Sequence, residues 1–264
     1  MMTFSELDRW LAREIGSFPA KVSLLMTDLD SGKVCHALNP DCQVVSASTI
    51  KVPILLAALE QVRLGNLLLT QKIPVPSSEI LDDTQVFELG IPDYSLWELL
   101  YWMIVESDNT ATNRIIDTLG YDCINTYING VLGLAQTSCQ RKMLDWAAIR
   151  AGRNNYTSAA DQGRIYQLLY RKEILTPGLV ETAMDMLRRQ RSMDSFLRYI
   201  PDAITVAHKT GGLDYLNHDA GIFFLPTRHF YLGIFTWDGP SPEGDFRQKR
   251  LIGRLTRAIY NCYR

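Results

Sequence analysis

Strand-like runs occur only toward the two ends of this 264-residue chain, and the long stretch between them has helical texture. Near the start, "KVSLLMTDL" and "KVCHAL" flank a polar turn at Asp30-Ser31-Gly32. After Pro201 come "AITVAHKTGG", "DAGIFFLP" and "HFYLGIFTW", again separated by turn signals. From Ser48 to about Val180 the spacing is mostly helical, with Gly and Pro as punctuation. The simplest packing joins the two sets of strands into one antiparallel sheet. It is covered by an amphipathic helix at each terminus (Ser5 to about Ile15, and "FRQKRLIGRLTRAIYNCY"), with a helical region inserted. That is an α+β layered architecture. The expected division is 1–45 plus 190–264 for the sheet part and 46–189 for the helical part, with a cleft between them as the natural site.

Composition narrows the function classes. Apolar residues make up 47% and charged residues 21%, and the formal net charge is −2. That balance describes a globule without the basic footprint of a nucleic-acid binder. The longest apolar runs, "VPILLAAL" and "LLYWMIV", are too short to be a membrane segment. The opening "MMTFSELDRWLAREIG" carries charges throughout and is no secretory h-region, so as written the chain reads as cytoplasmic, or as secreted with a targeting segment removed. Five scattered cysteines (Cys35, Cys42, Cys123, Cys139, Cys262) contain no C-x-x-C and read as buried reduced thiols. Four histidines form no ligand-spaced cluster with them, so neither metal nor other cofactor is expected.

The chemistry concentrates in three short stretches. In "SASTIKVP", Pro53 suits only the first turn of a helix, which sets the helix start near Ser48–Ile50. Ser48 and Lys51 then share a face of that turn, where free N–H groups and the positive dipole end converge. A lysine buried there loses its preference for the ammonium form and can act as a base toward the serine hydroxyl. The plainer alternative is a capping serine and a lysine reaching solvent. Ser107-Asp108-Asn109 follows "LLYWMIVE", whose own helix starts at the capping box Ser95-Leu96-Trp97-Glu98. Taken alone it reads as a turn and N-cap. Lys209-Thr210-Gly211-Gly212 ends a β run. The order Ser-x-x-Lys, Ser-Asp-Asn, Lys-Thr-Gly, on a helix start, a loop and a strand, is a specific combination.

On these motifs, and on "SLWELLYWMIVESDNTATNRIID", the chain resembles the class A serine β-lactamases and penicillin-binding proteins from its first strand to its last helix. The resemblance implies a five-stranded antiparallel sheet flanked by helices, an α/β/α sandwich with a helical subdomain. It implies Ser48 as the nucleophile that forms an acyl-enzyme, Lys51 as the base, and Ser107, aided by Lys209, as proton donor to the leaving nitrogen. Asn109 would hold the substrate amide and fix Lys51. Lys209 and Thr210 would recognise a substrate carboxylate. The N–H groups of Ser48 and Gly212 would form an oxyanion hole, and Gly211 and Gly212 would leave room for a β-lactam or peptide-like substrate.

Two departures limit the resemblance. The family's Glu-x-x-Leu-Asn segment, whose glutamate activates the deacylating water, is missing, and no glutamate occurs from Asn109 to Lys172. Asp145 is the nearest candidate, or else it pairs with Arg141 or Lys142. The family's arginine after the Lys-Thr-Gly strand is replaced by His218 and Asp219, read as a turn or a structural hydrogen-bonded pair. The expected function is therefore a β-lactamase-like hydrolase with weak deacylation. Alternatives are a D-Ala-D-Ala carboxypeptidase or esterase of the superfamily, a non-turnover penicillin sensor, and a glutaminase-like amidohydrolase.

Overall fold

A computed structural model describes residues 3–84, 86–87, 90–201, 203–240, 242 and 246–264. The chain begins with helix α1 (Phe4–Gly16), strands β1 (Lys21–Asp28) and β2 (Val34–Leu38), and the two-residue strand β3 (Val44–Val45). Helix α2 (Lys51–Arg63), strands β4 (Lys72–Pro74) and β5 (Asp93–Ser95), and helices α3 (Leu96–Val105), α4 (Asn109–Leu119), α5 (Tyr121–Thr126) and α6 (Trp146–Arg150) follow. Strand β6 (Tyr156–Thr157) and helices α7 (Ala159–Arg171) and α8 (Pro177–Arg188) lead to the final strands, β7 (Thr205–Leu213), β8 (Leu216–Phe224) and β9 (His229–Trp237). Helix α9 (Arg247–Tyr263) closes the chain.

The five long strands form one antiparallel sheet in the order β2-β1-β9-β8-β7. Strand β1 lies inside it, paired with β9 from Lys21 opposite Trp237 to Asp28 opposite Phe230. Its side chains are buried on both faces from Val22 to Thr27, because helices cover both sides of the sheet. One core joins α1 and α9 to the sheet through Leu7, Leu11, Leu251 and Leu255. The other face meets α7, where Gly163 lets the helix approach the Tyr231 ring and the Tyr231 hydroxyl donates to the Ala159 carbonyl at 2.9 Å. This is the expected α+β sandwich. Two small pairings add short strands to the otherwise helical middle of the chain, β4 with β5 inside it and β6 with β3, which lies just before it.

Local sequence explains the helix starts. Thr3 and Glu6 form a reciprocal capping box for α1, as Ser95 and Glu98 do for α3. Helix α2 is buried from Lys51 to Glu60, as befits a helix apolar on nearly every side. A 3-10 turn at Ala47–Ile50 precedes it, and Pro53 falls in its first turn. The cysteines are all free, but only Cys139 is fully buried. The expectation of buried thiols fails for the other four, which are part-exposed: Cys35 on β2, Cys42 in a loop, Cys123 on α5 and Cys262 on α9. Among the described residues no helix is long and apolar enough to cross a membrane, and no His, Cys, Asp or Glu cluster is fit to hold a metal ion.

Candidate active site

The 3-10 turn before α2 sets the first two residues. Side chains three apart eclipse in a 3-10 helix, so Ser48 and Lys51 stand over one another, and the Lys51 N–H closes the turn on the Ser48 carbonyl. Ser48 is half-buried at the wall of a cavity of about 560 Å³ and makes no hydrogen bond through its hydroxyl to another described residue. Lys51 is fully buried. Its Nζ donates to the Ser107 carbonyl at 2.6 Å and to Asn109 Oδ1 at 2.7 Å, and lies 3.2 Å from Ser107 Oγ. Burial pulls the lysine down from its ordinary 10.5 to about 7, against the opposing pull of the Asp108 and Asp83 carboxylates.

Those contacts decide where the lone pair of a neutral Lys51 goes. A carbonyl and an amide oxygen can only accept, so they take both hydrogens of the neutral amine. The Asn109 amide is oriented unambiguously, because its nitrogen donates to the Asp83 carboxylate at 2.6 Å. The amine lone pair is left for a hydroxyl: Ser107 Oγ stands 3.2 Å away, and Ser48 is three residues back on the same turn.

Ser107 links the two lysines. It sits between α3 and α4 with φ +57°, in the left-handed region that a non-glycine residue enters at a cost of roughly 1–2 kcal/mol. This turn aims both its carbonyl and its hydroxyl at Lys51. Lys209, on β7 and also fully buried, donates to Ser107 Oγ at 2.9 Å and to the Thr210 carbonyl at 3.0 Å. Its burial, with the neighbouring Lys51, drives it well below the ordinary lysine range, while Asp219 opposes the shift. Of the Ser-Asp-Asn triplet, only Asp108 does the plain job of an N-cap, accepting the Ala111 N–H at 2.7 Å.

Strand β7 is a sheet edge and closes on the serine turn through Gly211. A Cβ there would lie 3.0 Å from the Ser46 carbonyl oxygen and 3.1 Å from the Ser48 nitrogen. The space at Gly211 is thus taken by the Ser46–Ser48 backbone, where room for substrate was expected. Ala47, with φ +44°, completes this tight contact. A Gly211→Ala protein is expected to shift the turn by a few tenths of an ångström and to lose about tenfold in Ser48 acylation, with about 1–2 kcal/mol of stability. Stopped-flow acylation and thermal unfolding measure the two. Gly212 lines the cavity, while Thr210 does not, its hydroxyl accepting from Gln190 Nε2 at 3.4 Å.

Three other expectations change. Asp145 is the N-cap of α6, accepting the Ala148 N–H at 2.9 Å, and does not line the cavity. It makes no contact ion pair with either suggested cation, although its charge supports the buried Arg141 at longer range: Arg141 donates to Asn154 Oδ1 at 2.8 Å and Lys142 reaches Asp117 at 2.6 Å. His218 and Asp219 are adjacent on β8, so they point to opposite faces of the sheet and form no turn and no mutual pair. His218 lies 2.8 Å from the Val45 carbonyl, with burial lowering its pKa to about 4, whereas Asp219 pairs with buried His208 at 2.8 Å.

The sequence reading passed over Asn113, Met143 and Asp83. Asn113 lies one turn beyond Asn109 on α4 and clamps the Met143 backbone, accepting its N–H at 2.7 Å and donating to its carbonyl at 3.2 Å. The i,i+4 spacing from Asn109 was the available signal. Met143, Leu144, Trp146 and Ile149 form an apolar stretch of the cavity wall that Ser48 also lines.

The model described as the Beta-lactamase enzyme family matches residues 6–263. The chain belongs to this family. It is 22% identical over 245 residues to Beta-lactamase VEB-1 of Pseudomonas aeruginosa, an alignment covering 86% of this chain and 80% of that protein. The beta-lactamase from Sphaerobacter thermophilus DSM 20745 superposes with a TM-score of 0.87 at 25% identity, over 98% of this chain and 97% of that one. PBP-A superposes with a TM-score of 0.86 at 27% identity, over 97% of this chain and 95% of that one. A mutant of PBP-A has been solved as an acyl-enzyme complex with penicillin G, with a TM-score of 0.87 at 27% identity over 98% and 96% of the two chains. This member of the β-lactamase family is a serine hydrolase of the class A-like kind.

Proposed function

We propose that this β-lactamase-family enzyme opens a β-lactam, or cleaves a related amide, by acylating Ser48, and that it releases the acyl group slowly. The Ser48 oxygen attacks the carbonyl carbon while its proton passes to the neutral amine of Lys51. The oxyanion is met by the N–H groups of Ser48 and Gly212. As the C–N bond breaks, the leaving nitrogen takes a proton from the Ser107 hydroxyl, which Lys209 holds and Lys51 replenishes. Asn109 keeps Lys51 in place and offers its remaining amide N–H to the substrate. The observation that carries this reading is the commitment of both hydrogens of a neutral Lys51 to acceptors, which leaves its lone pair to a hydroxyl, with Ser107 Oγ at 3.2 Å and Ser48 on the same 3-10 turn. The penicillin G adduct of the PBP-A mutant supports the same chemistry.

Slow release rests on the apolar stretch of Met143, Leu144, Trp146 and Ile149, which offers no carboxylate; the described carboxylates of the cavity are Asp83, bonded to Asn109, and Asp214. Loss of a well-placed general base typically costs about 10²–10⁴ in rate. The same wall favours a second reading, an acceptor that is acylated once or a carboxypeptidase acting on peptide-like substrates. Mixing the protein with a penicillin and following its intact mass is expected to show one added penicillin on Ser48 that persists for minutes or longer. Multiple rapid turnovers would refute slow release, and no adduct would refute the nucleophile. Parallel assays with nitrocefin and a peptide ending in D-Ala-D-Ala separate the two readings.

A further inference from the structure

The short segment before β5 is docked on the start of α4 from both sides of Asp83. The Leu81 N–H donates to Thr110 Oγ1 at 2.9 Å, and the Thr84 hydroxyl donates to the buried carboxylate of Asp108. Between these anchors the Asp83 carboxylate accepts from Asn109 Nδ2, and it forms part of the cavity wall beside Asn109. One amide hydrogen bond leaves an ionised carboxylate most of its acceptor capacity. No described cation lies within ion-pair distance of it. Of the two cations that also line the cavity, Arg141 is buried and held by Asn154 Oδ1 and the Lys142 carbonyl, and Lys249 is paired with Asp194. Lys51 lies on the other side of the Asn109 amide and is itself held by Ser107 and Asn109.

We infer that Asp83 selects substrates whose acyl side chain carries an ammonium group next to the amide, and disfavours those with a carboxylate there. The inference rests on the acylation reading, in which Asn109 binds the acyl amide. A group one carbon beyond that amide then comes to the carboxylate that Asn109 already touches. An ammonium would gain a charge-assisted hydrogen bond there, and a carboxylate would meet like charge at this exposed, salt-screened position.

The probes are three penicillins on one frame: ampicillin, with an α-ammonium, benzylpenicillin, with none, and carbenicillin, with an α-carboxylate. Their second-order acylation constants are expected to fall in that order, with about tenfold or more between the ends at low salt and a smaller spread at high salt. In Asp83→Asn, which keeps the shape and removes the charge, the spread is expected to shrink to about twofold. Any shift that this variant imposes on Lys51 acts on all three penicillins alike and cancels in the ratio. Adducts forming at equal rates in the unaltered protein, or an undiminished spread in Asp83→Asn, would overturn the inference and leave the acylation reading intact. Should Asp83→Asn fail to fold, the salt dependence of the unaltered protein decides, because a salt-independent order excludes a charge effect. Failure of all three to acylate would overturn the acylation reading and this inference with it.

Discussion

A Lys51→Met protein is expected to be acylated by a penicillin about 10²–10⁴-fold more slowly than the unaltered one, with its fold retained. Methionine has nearly the length of lysine and no charge, so it fills the buried space under Ser107 and Asn109 without a lone pair to accept the serine proton. The cost of leaving the Ser107 carbonyl and Asn109 Oδ1 without that donor is offset in part by relief from burying a cation. Acylation of the unaltered protein is also expected to depend on pH through the same group. Only the neutral amine is a base, so the rate constant rises about tenfold per unit at acid pH and levels off above about 7, where burial places the Lys51 transition. A rate still climbing past pH 9 would mean that Lys51 titrates as an ordinary lysine and would remove it as the base. Stopped-flow acylation across that range is the measurement.

The second large effect lies in deacylation. Met143→Glu is expected to shorten the life of the penicillin adduct by about 10²–10⁴-fold, turning a persistent species into a transient one. Asn113 fixes the backbone of Met143 from both its N–H and its carbonyl, and the side chain is only 6% exposed on the wall of the cavity that Ser48 also lines. A carboxylate introduced there would be raised by burial toward the range in which it accepts a proton from water at neutral pH. Met143→Gln supplies the same shape without a base and is expected to leave the adduct lifetime unchanged, as is Asp145→Asn, whose carboxylate caps α6. Equal acceleration by glutamine would show that the cavity admits water on enlargement and would defeat the general-base explanation. Mass spectra taken over time after a penicillin pulse distinguish these outcomes.

What could be read from the sequence was local. The Ser95–Glu98 box, the Ser48–Lys51 spacing and the alternation of the five long strands each depend on residues a few positions apart, where backbone geometry dictates the contact. Contacts closing longer loops were invisible: Asn109 reaches Asp83 across 26 positions and Asn113 reaches Met143 across 30. The pairings of β3 with β6 and β4 with β5 involve two or three residues each, too few for a period to register. Two misreadings were avoidable. Asp145 stands three residues before the N–H that it caps, and neighbours in a strand such as His218 and Asp219 cannot share a face. The room expected at Gly211 failed for a different reason: only the fold shows that the Ser46–Ser48 backbone occupies it.

Strand β1 is synthesised early but finds one of its two sheet neighbours, β9, only at residues 229–237. At translation speeds of roughly 5–20 residues per second, the nascent chain must carry that apolar segment half-paired for on the order of ten seconds or more. Truncation before β9 would therefore leave an aggregation-prone polypeptide rather than a smaller working enzyme. Yield in a cell should depend on holdase chaperones more than the stability of the finished protein suggests.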